Sequence, residues 1–245
     1  MYRLLTISQA SKMLGVSVQT LRRWDDSGKL SSIRKKATGN RYYARNDIYD
    51  FIKNNIRDLL VKLAKAWVVN NVKTEFHPDF YCSSSSIFQA RLSKLESELG
   101  EIRELGKIFP LITAITGEIG NNSFDHNLGN WPDVPGIFFA YSLEKKKIVL
   151  ADRGQGILAT LKKVKPKLKN HQDALMVAFT EIISGRAPES RGNGLKFVRQ
   201  VVADNKISLF FQTGNAQLEI RQQDCNLNIK KSKNNFRGCL AIIKF

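Results

Sequence analysis

Glu118-Ile119-Gly120-Asn121-Asn122-Ser123-Phe124-Asp125-His126 is the stretch on which the reading of this chain turns. It falls late in a run from about Leu105 whose apolar spacing predicts a helix, where residues four apart share a face. Glu118 and Asn122 then project together, with His126 one turn further on. A carboxylate and an amide on one helix face are common and mean little alone. Two glycine-bearing turns downstream give the pair its weight. Asp152-Arg153-Gly154-Gln155-Gly156 follows the strand-like run Lys147 to Ala151, and the region Gly185 to Gly194 precedes a second helix-like run carrying Leu195, Val198, Val201 and Val202.

Glu/Asn, then Asp-x-Gly-x-Gly, then a glycine-rich segment opening a helix, in this order and spacing, resembles the Bergerat-type ATP-binding fold. That fold is shared by gyrase, a heat-shock chaperone, histidine kinases and MutL. The resemblance covers roughly residues 105–245 and implies a two-layer α/β sandwich that holds ATP and Mg2+. It implies a catalytic role for Glu118, which would orient or deprotonate the nucleophile. Asn122 matches the magnesium ligand, and a hard cation that keeps several waters and bridges phosphates needs no more than one such oxygen. Asp152 matches the carboxylate that accepts from the adenine amino group, while Gly154 and Gly156 let the backbone approach the base. Gly192, Gly194 and Leu195 match the Gly-x-Gly-Leu lid, whose helix N-terminus holds phosphate, and Arg191 and Lys196 would add cations there.

Composition sets outer limits. The 245 residues are 42% hydrophobic, and 39 Lys/Arg against 22 Asp/Glu give a formal charge of +17, which points to an anionic partner. No apolar run approaches the ~20 residues that span a bilayer, and the N-terminus lacks signal-peptide segments, so no membrane association and a cytoplasmic location are expected. Cys82, Cys225 and Cys239 are far apart with no CxxC pair, which argues against a disulfide framework or a zinc site.

The N-terminal region supplies a partner of its own. Ser8 is a candidate cap for a helix with Ala10, Met13 and Leu14 inward, Gly15 breaks it, and Ser17 caps a second helix buried through Val18, Leu21 and Trp24. This is a helix-turn-helix pattern, and its second helix exposes Gln19, Thr20, Arg22 and Arg23, residue types that reach base edges or phosphates. Gly28-Lys29-Leu30 leads into a basic hairpin from Ile33 to Tyr43 with its bend near Gly39-Asn40. Residues 3 to about 52 resemble the winged helix-turn-helix of MerR-type regulators and of related domains on some transposon-encoded recombinases. Residues 1–53 hold eleven Lys/Arg against four Asp/Glu. Among these, Arg22, Arg23, Lys35, Lys36 and Arg41 are the candidate phosphate contacts, with Trp24 and Tyr42 in the core.

From Asp47, apolar residues Ile48, Phe51, Ile52, Ile56, Leu59, Leu60, Leu63 and Trp67 predict one amphipathic helix, suited to a homodimer interface or to packing on the nucleotide domain. Asn70-Asn71 and His77-Pro78-Asp79 break the pattern. His77 does not match the phosphoacceptor motif of a histidine autokinase. Leu161 to Lys169 carries five lysines and reads as a solvated run, with contact to DNA or an acidic partner as the alternative. The remaining apolar runs, Ile207 to Phe211, Gln217 to Arg221, Leu227 to Ile229 and Cys239 to Phe245, predict strands of a mixed sheet, with no further transducer domain expected.

The expected architecture is α+β: a winged helix-turn-helix over 1–53, a helical connector over 54–104 and a Bergerat-type domain over 105–245. The expected function is a regulator that binds double-stranded DNA and Mg-ATP in one chain. The alternatives are a serine/threonine protein kinase of the anti-sigma-factor type acting on a protein partner, and a DNA-processing or defence-associated ATPase. Whether the chain is an enzyme stays open at the level of sequence.

Overall fold

The computed structural model describes residues 4–34, 36, 39–55, 59–69, 80–182 and 194–245, without the side chains of residues 53–55. The chain divides into two compact units, Met1–Leu63 and Ala64–Phe245. The fold is mixed α+β.

In the first unit, β1 (Leu4–Thr6) pairs antiparallel with β2 (Tyr42–Ala44), placing Leu5 opposite Tyr43. Between them run α1 (Ile7–Leu14) and α2 (Val18–Asp26). The cap of α1 is Thr6 rather than Ser8. Thr6 Oγ1 accepts from the Gln9 amide while the Thr6 amide donates to Gln9 Oε1 at 2.9 Å, a reciprocal pair that Ser8 inside the helix cannot form. Gly15, at φ +62°, ends α1, and Ser17 caps α2 as expected, accepting from the Thr20 amide at 3.1 Å. Ala10, Leu14 and Leu21 are buried, and Trp24 packs on Phe51 with ring centroids 5.0 Å apart. Backbone bonds in both directions between Ile33 and Tyr42 close the basic loop, whose turn is held by Gly39 N–H donating to Lys36 O at 2.8 Å. The chain then forms α3 (Arg45–Asn55) and α4 (Leu59–Val69) within the stretch expected as one helix, and residues 56–58 between them lie outside the described residues. Ile56 lies outside the described residues, as do Lys35, Asn70, Asn71 and His77.

The second unit is built on a five-stranded sheet in the order β3 (Tyr81–Cys82), β4 (Ile137–Ser142), β5 (Lys147–Asp152), β7 (Asn228–Lys244), β6 (Ser208–Ile220). Every described neighbour pair is antiparallel, not mixed as expected. Hairpin connections account for two of these pairs, since β4–β5 and β6–β7 follow each other directly and lack the crossover that parallel pairing needs. The runs expected as four C-terminal strands join into two long ones, bent at register shifts around Gly214.

One face of the sheet presents Phe139, Ile148, Leu150, Leu209, Phe211, Ala241 and Ile243 to a core shared with α5 (Ser85–Gly100), α6 (Phe109–Asn127), α8 (His171–Thr180) and α9 (Gly194–Asp204). The connector residues of α5 enter that core through Phe88, Leu92, Leu95 and Leu99. Helices α5 and α6 approach closely because Gly120 has no side chain: a Cβ there would overlap the Phe88 ring. By strand alternation Phe138 and Val149 point to the other face. Phe138 is fully buried there against Phe80, centroids 6.1 Å apart. Burial on both faces makes β4 and β5 read as continuous apolar runs.

Candidate functional site

Helix α6 carries the side chains on which the second unit's site is built. Pro110 in its first turn needs no hydrogen-bond partner, and Ile112, Ile115, Thr116 and Ile119 bury its inner stripe. That stripe rotates Glu118 and Asn122 to the half-buried margin. The first residue of α9 lies against them, since a Cβ on Gly194 would stand 2.5 Å from Glu118 Oε2 and 3.4 Å from Asn122 Nδ2. The backbone start of a helix therefore faces a carboxylate and an amide. Leu195 is half-buried and Lys196 exposed on the first turn of α9, whereas Arg191 and Gly192 lie outside the described residues.

The next position on α6 faces the Asp152 loop. Ser123 Oγ donates to Asp152 Oδ2 at 2.9 Å, and the Gly154 amide donates to Asp152 Oδ1 at 2.8 Å. Asp152 ends β5 and is only 2% exposed. Burial pushes its carboxyl up to about 6, against the opposing pull of hydrogen bonds from Gly154, Ser123 and Cys239. One turn along α6, Asn127 ties the loop down: its Oδ1 accepts from the Gln155 amide at 2.8 Å, and its Nδ2 donates to Ser123 O at 2.7 Å. His126 contributes its carbonyl, which accepts from Gln155 Nε2 at 3.1 Å.

Strands β6 and β7 close the far side. Thr213 Oγ1 donates to Gly238 O at 2.9 Å and accepts from the Ile157 amide at 3.3 Å, at the start of α7 (Gly156–Lys162). Gly238, at φ +76°, is so near Asp152 that a Cβ would overlap the aspartate's backbone oxygen. Gly154 likewise leaves no room between the loop and the Asn127 amide. The result is a carboxylate held by three donors under a bare backbone turn, with Asn122 beside the Ser123 donor on α6 and Glu118 about one turn before it.

Ser123, Asn127, Thr213 and Cys239 were not singled out by sequence reasoning. Ser123 and Asn127 had a local signal, being four apart on the face next to Glu118 and Asn122. Thr213 and Cys239 had none, because only strand pairing brings them to Asp152. Arg153 turns away from the site as the chain leaves β5: it is 3% exposed and forms an ion pair with Asp133.

In the first unit Gln19, Arg22 and Arg23 are exposed on α2, and Lys36 is exposed in the basic loop. Thr20 is half-buried, its hydroxyl 2.9 Å from that of Ser17. Arg41 is committed within the unit, with Nε 2.6 Å from Asp25 Oδ2 and Nη2 2.7 Å from Asp26 Oδ1. Arg34 and the Ser32 amide also donate to Asp25, each at 2.6 Å. Burial alone would raise the Asp25 carboxyl, but these donors outweigh it and hold the carboxyl far below the ordinary range. Arg41 thus braces the loop onto α2, leaving Gln19, Arg22 and Arg23 free to reach outward.

Residues 6–43 match the MerR family regulatory protein. The match spans α1, α2 and the basic loop, and it supports a helix-turn-helix DNA-binding regulator. No curated protein matches the chain. Among the described residues, no helix is long and apolar enough to cross a membrane.

Proposed function

We propose that this chain is a DNA-binding regulator whose second unit is a Bergerat-type domain that binds Mg-ATP, the bound nucleotide setting the affinity for DNA. The observation that carries the nucleotide half is the convergence of Glu118, Asn122 and the start of α9 on the helix whose Ser123 holds the buried Asp152. These groups suit the ligand. Gly154 and Gly238 let bare backbone close directly on Asn127 and Asp152, and Asp152 keeps lone pairs able to accept from an adenine amino group. Asn122 offers the one oxygen that a hydrated magnesium ion needs. Amides at the start of α9 favour phosphate, with Lys196 close by in sequence and Arg191 as a further cation. When bound, the magnesium ion neutralises phosphate charge; Glu118 then orients a nucleophile if turnover occurs.

The DNA half rests on the MerR match and on the exposed row Gln19, Arg22 and Arg23. Lys35, Lys36 and the first turn of α2 complete the proposed contact set, while Arg41 serves as brace. Fluorescence anisotropy of a labelled duplex, titrated with protein in the presence and absence of Mg-ATP, tests the whole reading. Mg-ATP is expected to shift the midpoint at least threefold in the parent and to leave Asp152→Asn unmoved. Arg22→Ala/Arg23→Ala is expected to lose sequence preference, a base-edge contact being worth about 1–3 kcal/mol. Identical midpoints with and without nucleotide in the parent would refute the coupling, and full sequence preference in the double variant would refute the assignment of α2.

A further inference from the structure

We propose that the second unit carries its own surface for duplex DNA, formed by Lys162, Lys163, Lys167 and Lys169 at the corner between α7 and α8 and by Lys231 and Lys233 on β7. The starting point is charge. The first unit holds 13 Lys/Arg against 5 Asp/Glu, a surplus of eight, and the second holds 26 against 17, a surplus of nine. A helix-turn-helix in the first unit therefore leaves more than half of the +17 without an assigned partner.

The six lysines are exposed, and none has a carboxylate partner among the described residues. Lys165, in the same run, differs: it is paired with Glu181, which pins the corner to the end of α8. Backbone bonds from Val164 to Leu161 O and from Leu168 to Lys165 O fix the turn, and Asn170 caps α8 by accepting from the Asp173 amide at 2.8 Å. The lysines thus project from a closed turn rather than from a loose loop.

The two parts of the surface meet at the bulge of β6. His171, the first residue of α8, packs its ring on Gly214, leaving no space for a Cβ there. Burial, with Lys162 adding to it, lowers the His171 pKa. Ala216 lies two residues beyond Gly214, about 7 Å along the strand, and pairs with Lys231. Ala216 belongs to the helix-side core, so Lys231 stands on the same side of the sheet as the α7–α8 corner. Lys233 sits in the stretch opposite the register shift, whose backbone is held by Gln212. That side chain is buried, and its Nε2 donates to Ser232 Oγ at 2.9 Å and to Asn234 O at 3.2 Å.

Unpaired lysines on a fixed backbone fit a regular array of phosphates, whose counterions they release on binding. Duplex DNA is the partner that the rest of the chain favours. The first unit matches a DNA-binding family, and a duplex held there is presented to the second unit at high effective concentration. The inference rests on that reading of the first unit only for the identity of the polyanion.

Anisotropy on an unrelated duplex, over a salt series with full-length protein, tests it. Each phosphate contact contributes about −0.9 to the slope of log affinity against log salt. Replacing all six lysines by glutamine should flatten that slope by about 3 to 5 units and weaken binding about tenfold or more at ~0.1 M salt. The same six positions changed to arginine should keep the parent slope, which separates charge from any effect on folding. Arg22→Ala/Arg23→Ala should keep most of the slope on this duplex. If only that double variant loses affinity and the glutamine variant keeps the parent slope, the inference fails while the helix-turn-helix reading stands. If the glutamine variant loses the slope and Arg22→Ala/Arg23→Ala keeps the parent's full preference for a specific duplex, the inference stands and the helix-turn-helix reading fails. Loss confined to single-stranded RNA or to polyglutamate, with duplex binding unchanged, overturns the inference.

Discussion

Asp152 offers a perturbation whose size and sign both follow from its surroundings. Burial lifts its carboxyl from an ordinary 3.8 to about 6, so the native protein holds that proton more tightly than the unfolded chain does. The associated stability is fully present below about pH 4 and is lost as pH rises through about 6. A displacement of about 2 units corresponds to roughly 3 kcal/mol, so ionised Asp152 destabilises the native state at neutral pH by about that amount. Asp152→Asn has almost the same shape and cannot ionise. Its amide oxygen can accept from the Gly154 amide, and the Ser123 hydroxyl can turn to accept from its nitrogen. Urea unfolding of parent and variant, followed by tryptophan fluorescence between about pH 4 and pH 7.5, measures the difference. Other carboxylates titrate alike in both proteins and cancel. The variant's stability relative to the parent should rise by about 3 kcal/mol across that range. A difference that stays flat with pH would refute the account of Asp152 as a desolvated carboxylate.

Other expectations concern single sites. Gly120→Ala should destabilise the second unit by about 1–3 kcal/mol, because the added methyl overlaps the Phe88 ring, as urea unfolding would reveal. Asp25→Ala should loosen the brace of Arg34, Arg41 and Ser32 on α2 and cost about 2–3 kcal/mol. In the parent that stabilisation is present above the ordinary carboxylate range and fades as pH falls below about 4, so parent and variant melts should converge in acid. Burial raises the thiols of Cys82 and Cys239 above their ordinary value, whereas Cys225 is exposed. A thiol reagent near neutral pH should therefore titrate Cys225 quickly, the half-buried Cys239 slowly and Cys82 only on unfolding. Glu118→Ala should still bind Mg-ATP, and any phosphate release by the parent should be lost in it; unchanged release would remove Glu118 from the chemistry.

Local signals carried the sequence a long way at some positions. The spacing of Ile112, Ile115 and Ile119 makes α6 legible, and with it the shared margin of Glu118 and Asn122. Gly15 and Ser17 mark the turn between α1 and α2, and the strand-then-glycine pattern marks Asp152. Longer-range features were not legible, because they depend on partners distant in sequence. Arg41 counts as a free cation until Asp25, sixteen residues away, takes it. Thr213 and Cys239 are ordinary strand residues until β6 and β7 pair beside Asp152. The long strands were read as fragments because Gly214 and the lysine- and asparagine-rich stretch of β7 look like breaks, yet the register shift absorbs both. Ser8 and Thr6 are equally good caps by type, and the choice fell to Thr6 because Gln9 lies three residues after it.

The nucleotide site is tested most directly by calorimetric titration of ATP into the full-length protein, with and without magnesium. The account predicts a saturable one-site isotherm for the parent that tightens when magnesium is present. Asn122→Ala should bind ATP with an affinity that no longer responds to magnesium, and Asp152→Asn should bind far more weakly under both conditions. An absence of saturable heat in the parent, or isotherms for both variants that overlay it, would contradict the claim that α6, the Asp152 loop and the start of α9 together form an ATP site.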